Sequence, residues 1–353
     1  MKELRLNKDV NELIMACMEF DPTIEAIFLY GGYGRGEGAW IDKNDKYLCP
    51  YNDYDLLVIS NKKIDKLKLK VLREGLAKKL EISWVDISYM TPQKLKKLKP
   101  SIFNYDLIHG STLIYGDKNI LTSLPNINSS SITLKDVRIL FFTRMFTLIG
   151  CCDLNAFSSG IEAGDDVRFF RSQLAKCIFA GIDALLISEN QYDSSYKKRI
   201  ERVKLLDKES NRHQLFDFAI EHKLSPSDKA ITAECLQSIY NMSFDFYCES
   251  MFFSLAKYYG VSTIDFVNVK NKYISEPSIL ARRAFHFFTR SNYFENVLKS
   301  DLIQLAYMFA SPNNINDRCA QQYLIEKLSL NGPYNIENHE IVRNEAVKLR
   351  LSL

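Results

Sequence analysis

No apolar run in the chain approaches the ~20 residues of a membrane span, and the start, Met1-Lys2-Glu3-Leu4-Arg5, has no apolar signal core. Both absences predict a cytoplasmic protein with no membrane partner. The eight cysteines form no C-x-x-C pair, and Cys151-Cys152 are adjacent, a spacing that suits neither a zinc site nor a disulfide framework. Reduced, mostly buried thiols are the expectation. None of the five histidines pairs with Cys or another His at metal-ligand spacing, and no nucleophile motif supports Ser-His-Asp catalysis. A net charge of +3 is too small to argue for nucleic acid by itself. Repeats and low-complexity tracts are also missing. What remains is an ordinary globular composition, 46% hydrophobic and 25% charged, over 353 residues, a length that predicts about two domains.

The informative stretch runs from Ala26 to Ser60. Ala26-Ile27-Phe28-Leu29-Tyr30 reads as a buried strand and stops at Gly31-Gly32-Tyr33-Gly34-Arg35-Gly36-Glu37-Gly38, where glycine opens backbone conformations closed to other residues. After a polar insert, Asn52-Asp53-Tyr54-Asp55 leads into a second strand, Leu56 to Ile59. Residues two apart on a strand point the same way, so Asp53 and Asp55 share one face. Two aimed carboxylates repel unless a cation lies between them, and a hard divalent ion such as Mg²⁺ is the usual one. The glycine turn offers backbone N–H groups to phosphate oxygens, with Arg35 as a charged partner. Together these residues describe a place for a metal–nucleotide. No Lys-Ser or Lys-Thr follows the turn, which excludes a P-loop, and the acids precede the next strand instead of ending it, which fits a dinucleotide fold poorly.

Glycine turn, spacer and Asp-x-Asp resemble the polymerase-β-like nucleotidyltransferase superfamily. Gly31-Gly32-Tyr33-Gly34-Arg35-Gly36-Glu37 is especially similar to the turn of the bacterial PII-protein uridylyltransferases. The resemblance covers about the first third of the chain. It implies a third carboxylate on a later strand, and Glu81 to Tyr89 offers Asp86 as its only Asp. It also implies metal ligation by Asp53, Asp55 and Asp86, Mg²⁺ with Mn²⁺ as the alternative, an NTP substrate, and nucleotide contacts from Gly31, Gly32, Arg35 and Glu37. The family often has Ser where Gly32 stands, so only backbone contact is left there and Arg35 takes more of the task. Glu37 either orients Arg35 or a metal-bound water, or is a plain helix-start carboxylate.

The expected fold is α+β: a small mixed-sheet nucleotidyltransferase domain over 1–122, then an all-helical acceptor domain over 132–353. Helices are predicted over Leu6 to Phe20 and Lys62 to Leu80, with a helix, a glycine break and a short strand between Phe103 and Asp117. Leu121 to Ser131 reads as the linker. Beyond it the predicted helices are Val137 to Ile149, Val167 to Ile187, Tyr192 to Leu206, Ile231 to Tyr259, Pro277 to Arg290, Tyr293 to Phe309, Asp317 to Leu328 and His339 to Leu349. The lysine-rich segment Lys62 to Lys99 reads first as a solvated face and second as a patch for an anionic acceptor. Arg138, Arg144, Arg168 and Arg171 read as solvated helix-surface residues, and the aromatics from Tyr240 to Tyr259 as core.

The leading functional expectation is a nucleotidyltransferase that moves an NMP from an NTP to an acceptor hydroxyl and releases pyrophosphate. The acceptor is expected to be a small molecule or glycan, with nucleic acid not favoured. Two alternatives stand beside it. One is transfer to tRNA or protein, although no His-Asp hydrolase motif or regulatory tail accompanies the turn. The other is a nucleotide-binding module without turnover.

Overall fold

The computed structural model describes residues 2–43, 47–62, 64–151, 154–262, 264–288, 293–310, 317–330, 334 and 336–351. In chain order the first elements are α1 (Lys2–Phe20), β1 (Ala26–Tyr30), α2 (Gly31–Gly34), β2 (Trp40–Lys43), β3 (Tyr47–Pro50), β4 (Asp53–Ile59), α3 (Lys66–Leu80), β5 (Trp84–Met90), α4 (Pro92–Leu95), α5 (Ile102–Gly110) and β6 (Thr112–Gly116). The rest is helical: α6 (Leu134–Ile149), α7 (Leu154–Ser159), α8 (Asp165–Ser188), α9 (Tyr196–Leu206), α10 (Ser210–Leu224), α11 (Ala233–Tyr259), α12 (Phe266–Ile274), α13 (Pro277–Phe288), α14 (Tyr293–Ala310), α15 (Arg318–Leu328) and α16 (Ile336–Leu351). The fold is thus α+β, a small mixed sheet followed by helices.

The chain divides into two compact units. One comprises Met1–Thr133, Glu189–Lys208 and Ile220–Ser227, the other Leu134–Ser188, Glu209–Ala219 and Asp228–Leu353. In the first, a four-stranded sheet has the order β5-β4-β1-β6. Strand β1 runs antiparallel to both β4 and β6, and β4 runs parallel to β5. Alternation along the strands sends Ile27, Leu29, Tyr54, Leu56, Val58, Val85 and Ile87 to one face, where they pack with Leu13 and Cys17 of α1 and Leu69, Leu76 and Leu80 of α3. The opposite face carries Ala26, Phe28, Leu57 and Ile59 against Leu95 of α4 and Leu107 of α5. The same alternation delivers the acidic residues to this second face.

Three details differ from the periodicity. Strand β4 begins at Asp53 instead of Leu56, because all seven of its residues pair with β5. The polar insert is a hairpin, with Trp40 opposite Pro50 and Lys43 opposite Tyr47. The Lys62 to Leu80 helix starts only at Lys66, where the Asp65 side chain caps it through Leu67 N and Lys68 N. Beyond the linker, helices α7, α10 and α12 have no counterpart among the expected ones. Thr289 and Arg290, at the end of one expected helix, and Cys152 lie outside the described residues.

The second unit is built on α6, α8, α11 and α14, whose facing sides supply buried Phe141, Met145, Phe170, Leu174, Ile178, Tyr247, Met251, Leu255 and Leu305. Among the described residues, seven cysteines are in no disulfide. No helix among the described residues is long and apolar enough to cross a membrane.

Candidate active site

Asp53 and Asp55 lie at the start of β4, separated by Tyr54, whose fully buried ring goes to the opposite face. The parallel register sets Asp55 beside Asp86 and Asp53 beside Trp84, so the three sequence-predicted carboxylates share one face of two neighbouring strands. On the other side of β4, Tyr30 pairs with Asp55, and the chain turns at once into α2. Gly31 takes φ +68°, and a Cβ there would come within 2.2 Å of Asp55 Oδ2. The turn therefore touches the carboxylate directly, and any side chain at this position would collide with it. Gly34 approaches as closely on the inner side, where a Cβ would meet the Leu29 carbonyl oxygen at 2.2 Å. A Cβ at Gly32 would make ordinary contact with the backbone of Glu37 and Gly38, at 3.5 Å.

Burial raises the Asp55 carboxyl to about 7, helped by the charges of Asp53 and Asp86 and opposed by Arg35 and Lys223. The same burial and the same three acids raise the Tyr30 phenol, which hydrogen bonds to Ser88. Burial is the main cause of the shift on Asp55 and the neighbouring carboxylates add to it, a combination that a bound cation would relieve, and an all-oxygen donor set suits a hard divalent ion. Asp86 has a protein cation already: Arg73 reaches round the open edge of β5 to place Nη2 3.2 Å from Asp86 Oδ1, and it also donates to the Ile87 carbonyl. Among the described residues, no three His, Cys, Asp or Glu side chains converge closely enough to hold a metal ion as they stand. Asp53 and Asp55 fit such an ion, and Asp86 joins them only by exchanging Arg73 for it.

Arg35 and Glu37 are placed differently from the rest of the turn. The Arg35 side chain is only 6% exposed; its Nε lies 3.5 Å from Glu37 and its Nη1 3.8 Å from Asp106. Glu37 binds the beginning of α9, accepting from Ser195 Oγ at 2.7 Å, Tyr196 N at 2.9 Å and Lys197 N at 3.2 Å. It is a helix-start carboxylate, but for a helix far along the chain, where it meets the N–H groups of the first turn and the positive end of the dipole. Asp106 joins the arrangement from α5, accepting from Arg199 Nη2 and from the Tyr192 hydroxyl.

This docking brings two residues that no local motif marks. The Tyr196 ring has the Arg35 guanidinium 4.6 Å from its centroid, Arg199 at 5.1 Å and the Lys223 ammonium at 5.5 Å. Burial alone would raise the Tyr196 phenol, but Lys223, Arg35 and Arg199 outweigh it and the net shift is downward. Lys223 acts on Asp55 as well. The face therefore has a cationic side, formed by Arg35, Tyr196 and Lys223, next to an acidic one.

Of the helical arginines expected on solvated surfaces, Arg138 is buried instead, and Arg168 and Arg171 are partly exposed and bonded within the second unit. Arg138 is buried in an ion pair with Glu276 at 2.7 Å, Arg168 pairs with Asp165 and Asp228, and Arg171 donates to the Lys229 carbonyl. The described lysines between residues 62 and 99 are all exposed.

No family model matches the chain, and no curated protein matches it. Solved structures similar to it include the spectinomycin adenyltransferase from Enterococcus faecialis with ATP and spectinomycin, at 12% identity and a TM-score of 0.39 over 67% of this chain and 98% of that one. A toxin–antitoxin with AMP-PNP is 18% identical with a TM-score of 0.24, over 32% of this chain and 81% of that one. A third, the tri-AMPylated Shewanella oneidensis HEPN toxin in complex with MNT antitoxin, is 18% identical with a TM-score of 0.23, over 34% and 76%.

Proposed function

We propose that the first unit binds a nucleoside triphosphate and transfers its nucleoside monophosphate to the hydroxyl of a small molecule or glycan. The observation that carries this reading is the register that sets Asp53, Asp55 and Asp86 on one face, with Asp55 raised to about 7 beside the cations Arg35 and Lys223. A divalent cation, Mg²⁺ or Mn²⁺, held by Asp53 and Asp55 with Asp86 as third ligand, would supply neutralisation of charge on the phosphates.

The protein's own residues account for the remainder. Lys223 and Tyr196 face the triphosphate from the cationic side. Arg35 is tied to Glu37 and Asp106, so it contributes field and scaffold more than a free guanidinium. Gly31 and Gly32 offer backbone N–H groups to the phosphates, while the side-chain space at Gly31 is taken by the Asp55 carboxylate. The acceptor oxygen attacks the α-phosphorus, the bond to the β-phosphate oxygen breaks, pyrophosphate leaves, and the hydroxyl proton passes to an Asp86 carboxylate oxygen. Catalysis of this kind is mostly positioning and charge stabilisation.

A second reading, nucleotide binding without turnover, draws on the Arg73–Asp86 pair, which occupies the third carboxylate. The test separates the two. Purified protein is incubated with each α-³²P-labelled NTP, Mg²⁺ and a lysate divided into small molecules, RNA and protein, with Asp55→Asn as control. The expected result is label in the small-molecule fraction with wild type and a loss on the order of a thousandfold in the variant, whose circular dichroism is unchanged. Full activity in Asp55→Asn would refute the site. Persistent NTP binding with no labelled fraction favours the binding module.

A further inference from the structure

We propose that Trp84 is the platform on which the acceptor stacks, and that the acceptor is an uncharged ring polyol, a sugar or cyclitol lying with its C–H face on the indole. The proposal rests on the transfer reading above and adds the acceptor subsite to it.

Three observations lead there. Trp84 is the first residue of β5, set by register beside Asp53 and two residues before Asp86, so its side chain leaves the sheet on the carboxylate face. It is 39% exposed while the next residue, Val85, is fully buried in the core on the opposite face. An indole is among the largest apolar surfaces a protein can bury, yet both cores beside this sheet close without it. The chain has one other tryptophan, Trp40, which packs against the core with its ring 5.8 Å from that of Tyr33.

Displacement at phosphorus is in line, so the incoming oxygen and the departing pyrophosphate lie on opposite sides of the α-phosphate. The cations Arg35 and Lys223, with Tyr196, lie on the β1 side of the carboxylates and suit the pyrophosphate. The acceptor must then come over the other side, across Asp86 and the open edge of β5, where Trp84 is the exposed aromatic. Asp86, two residues along the strand from the indole, is the proton acceptor of the transfer proposed above, so an acceptor lying on Trp84 has its reacting hydroxyl within reach of that carboxylate. An apolar plate flanked by a few aimed polar groups is the usual make-up of a small-ligand site.

The test uses the full chain carrying Trp40→Phe, which leaves Trp84 as the sole indole. Methyl β-D-glucoside and glycerol serve as probes, in the presence of Mg²⁺ and ATP. The expected result is a saturable change in Trp84 emission with the glucoside and none with glycerol. In otherwise wild-type protein, Trp84→Ala should weaken glucoside binding about tenfold, whereas Trp84→Phe restores most of it and ATP affinity is the same in all. No glucoside response, an equal response to glycerol, or unchanged glucoside affinity in Trp84→Ala overturns the proposal. ATP binding and label transfer are scored separately on wild type: their loss there sinks the transfer reading, whereas intact ATP binding without a Trp84 response sinks only the acceptor subsite.

Discussion

Asp55 is held between a glycine that cannot be replaced without moving it and two other carboxylates that oppose its charge. Its carboxyl stands near 7 instead of the usual 3.8, so between about 4 and about 7 the folded state binds more proton than the unfolded one. Stability therefore falls as pH rises through that window, by on the order of a few kcal/mol at most, and levels above it. Thermal melts from pH 4 to 8 should show this decline in wild type. Asp55→Asn should lack most of it and melt higher at pH 8. Adding Mg²⁺ at pH 8 should raise the wild-type midpoint, because a ligand of the folded state stabilises it, and raise that of the variant much less. A flat wild-type profile would mean that Asp55 ionises as an ordinary surface acid.

Helix α9 depends on a residue that does not belong to it. Its Ser195 N-cap satisfies Lys198 N, but Tyr196 N and Lys197 N are satisfied by Glu37, from the far end of the glycine turn. Glu37→Ala should destabilise the protein by about 1–2 kcal/mol, the penalty for leaving part-buried donors at the helix start unpaired, read as a shift in denaturant midpoint. Glu37→Gln should cost less, since its amide oxygen still accepts. Equal effects from the two would place the interaction in packing instead. The order of glycine turn, strand and carboxylate is plain in the amino acids. The cap is not, because a capping box is recognised by short spacing and this one closes across nearly half of the chain. The start of β4 is likewise hidden from local pattern, since Asp is a poor strand former and only the pairing of Asp53 and Asp55 with β5 makes them strand residues.

The first compact unit is discontinuous. Residues 189–208 and 220–227 belong with the sheet, and they carry Tyr196, Arg199 and Lys223. A chain ending at Thr133 would keep Asp53, Asp55 and Asp86 but leave buried Glu37, and Arg35 with Asp106, without their α9 partners. Such a fragment should unfold at lower denaturant and bind ATP at least about tenfold more weakly than the full protein, measured by calorimetry. Affinity equal to that of the full chain would exclude Lys223 and Tyr196 from the triphosphate site. In the other unit, buried polar groups pair among themselves, Arg138 with Glu276, Glu276 with Tyr259 and Asp301 with Tyr273, which leaves these helical charges to structure.

Local pattern carried β1, the glycine turn and the acid pair, because alternation along a strand and the freedom of glycine are properties of neighbouring residues. Asp86 was marked by the resemblance, which implies a third carboxylate on a later strand, and by being the only Asp between Glu81 and Tyr89. Tertiary structure decided which cations face those acids, that Arg35 is tied to Glu37 and Asp106, that Arg73 holds Asp86, and that Trp84 stands exposed beside them. Each of these is a contact between residues far apart in the chain, fixed by sheet register and helix docking, and no spacing within a motif encodes it.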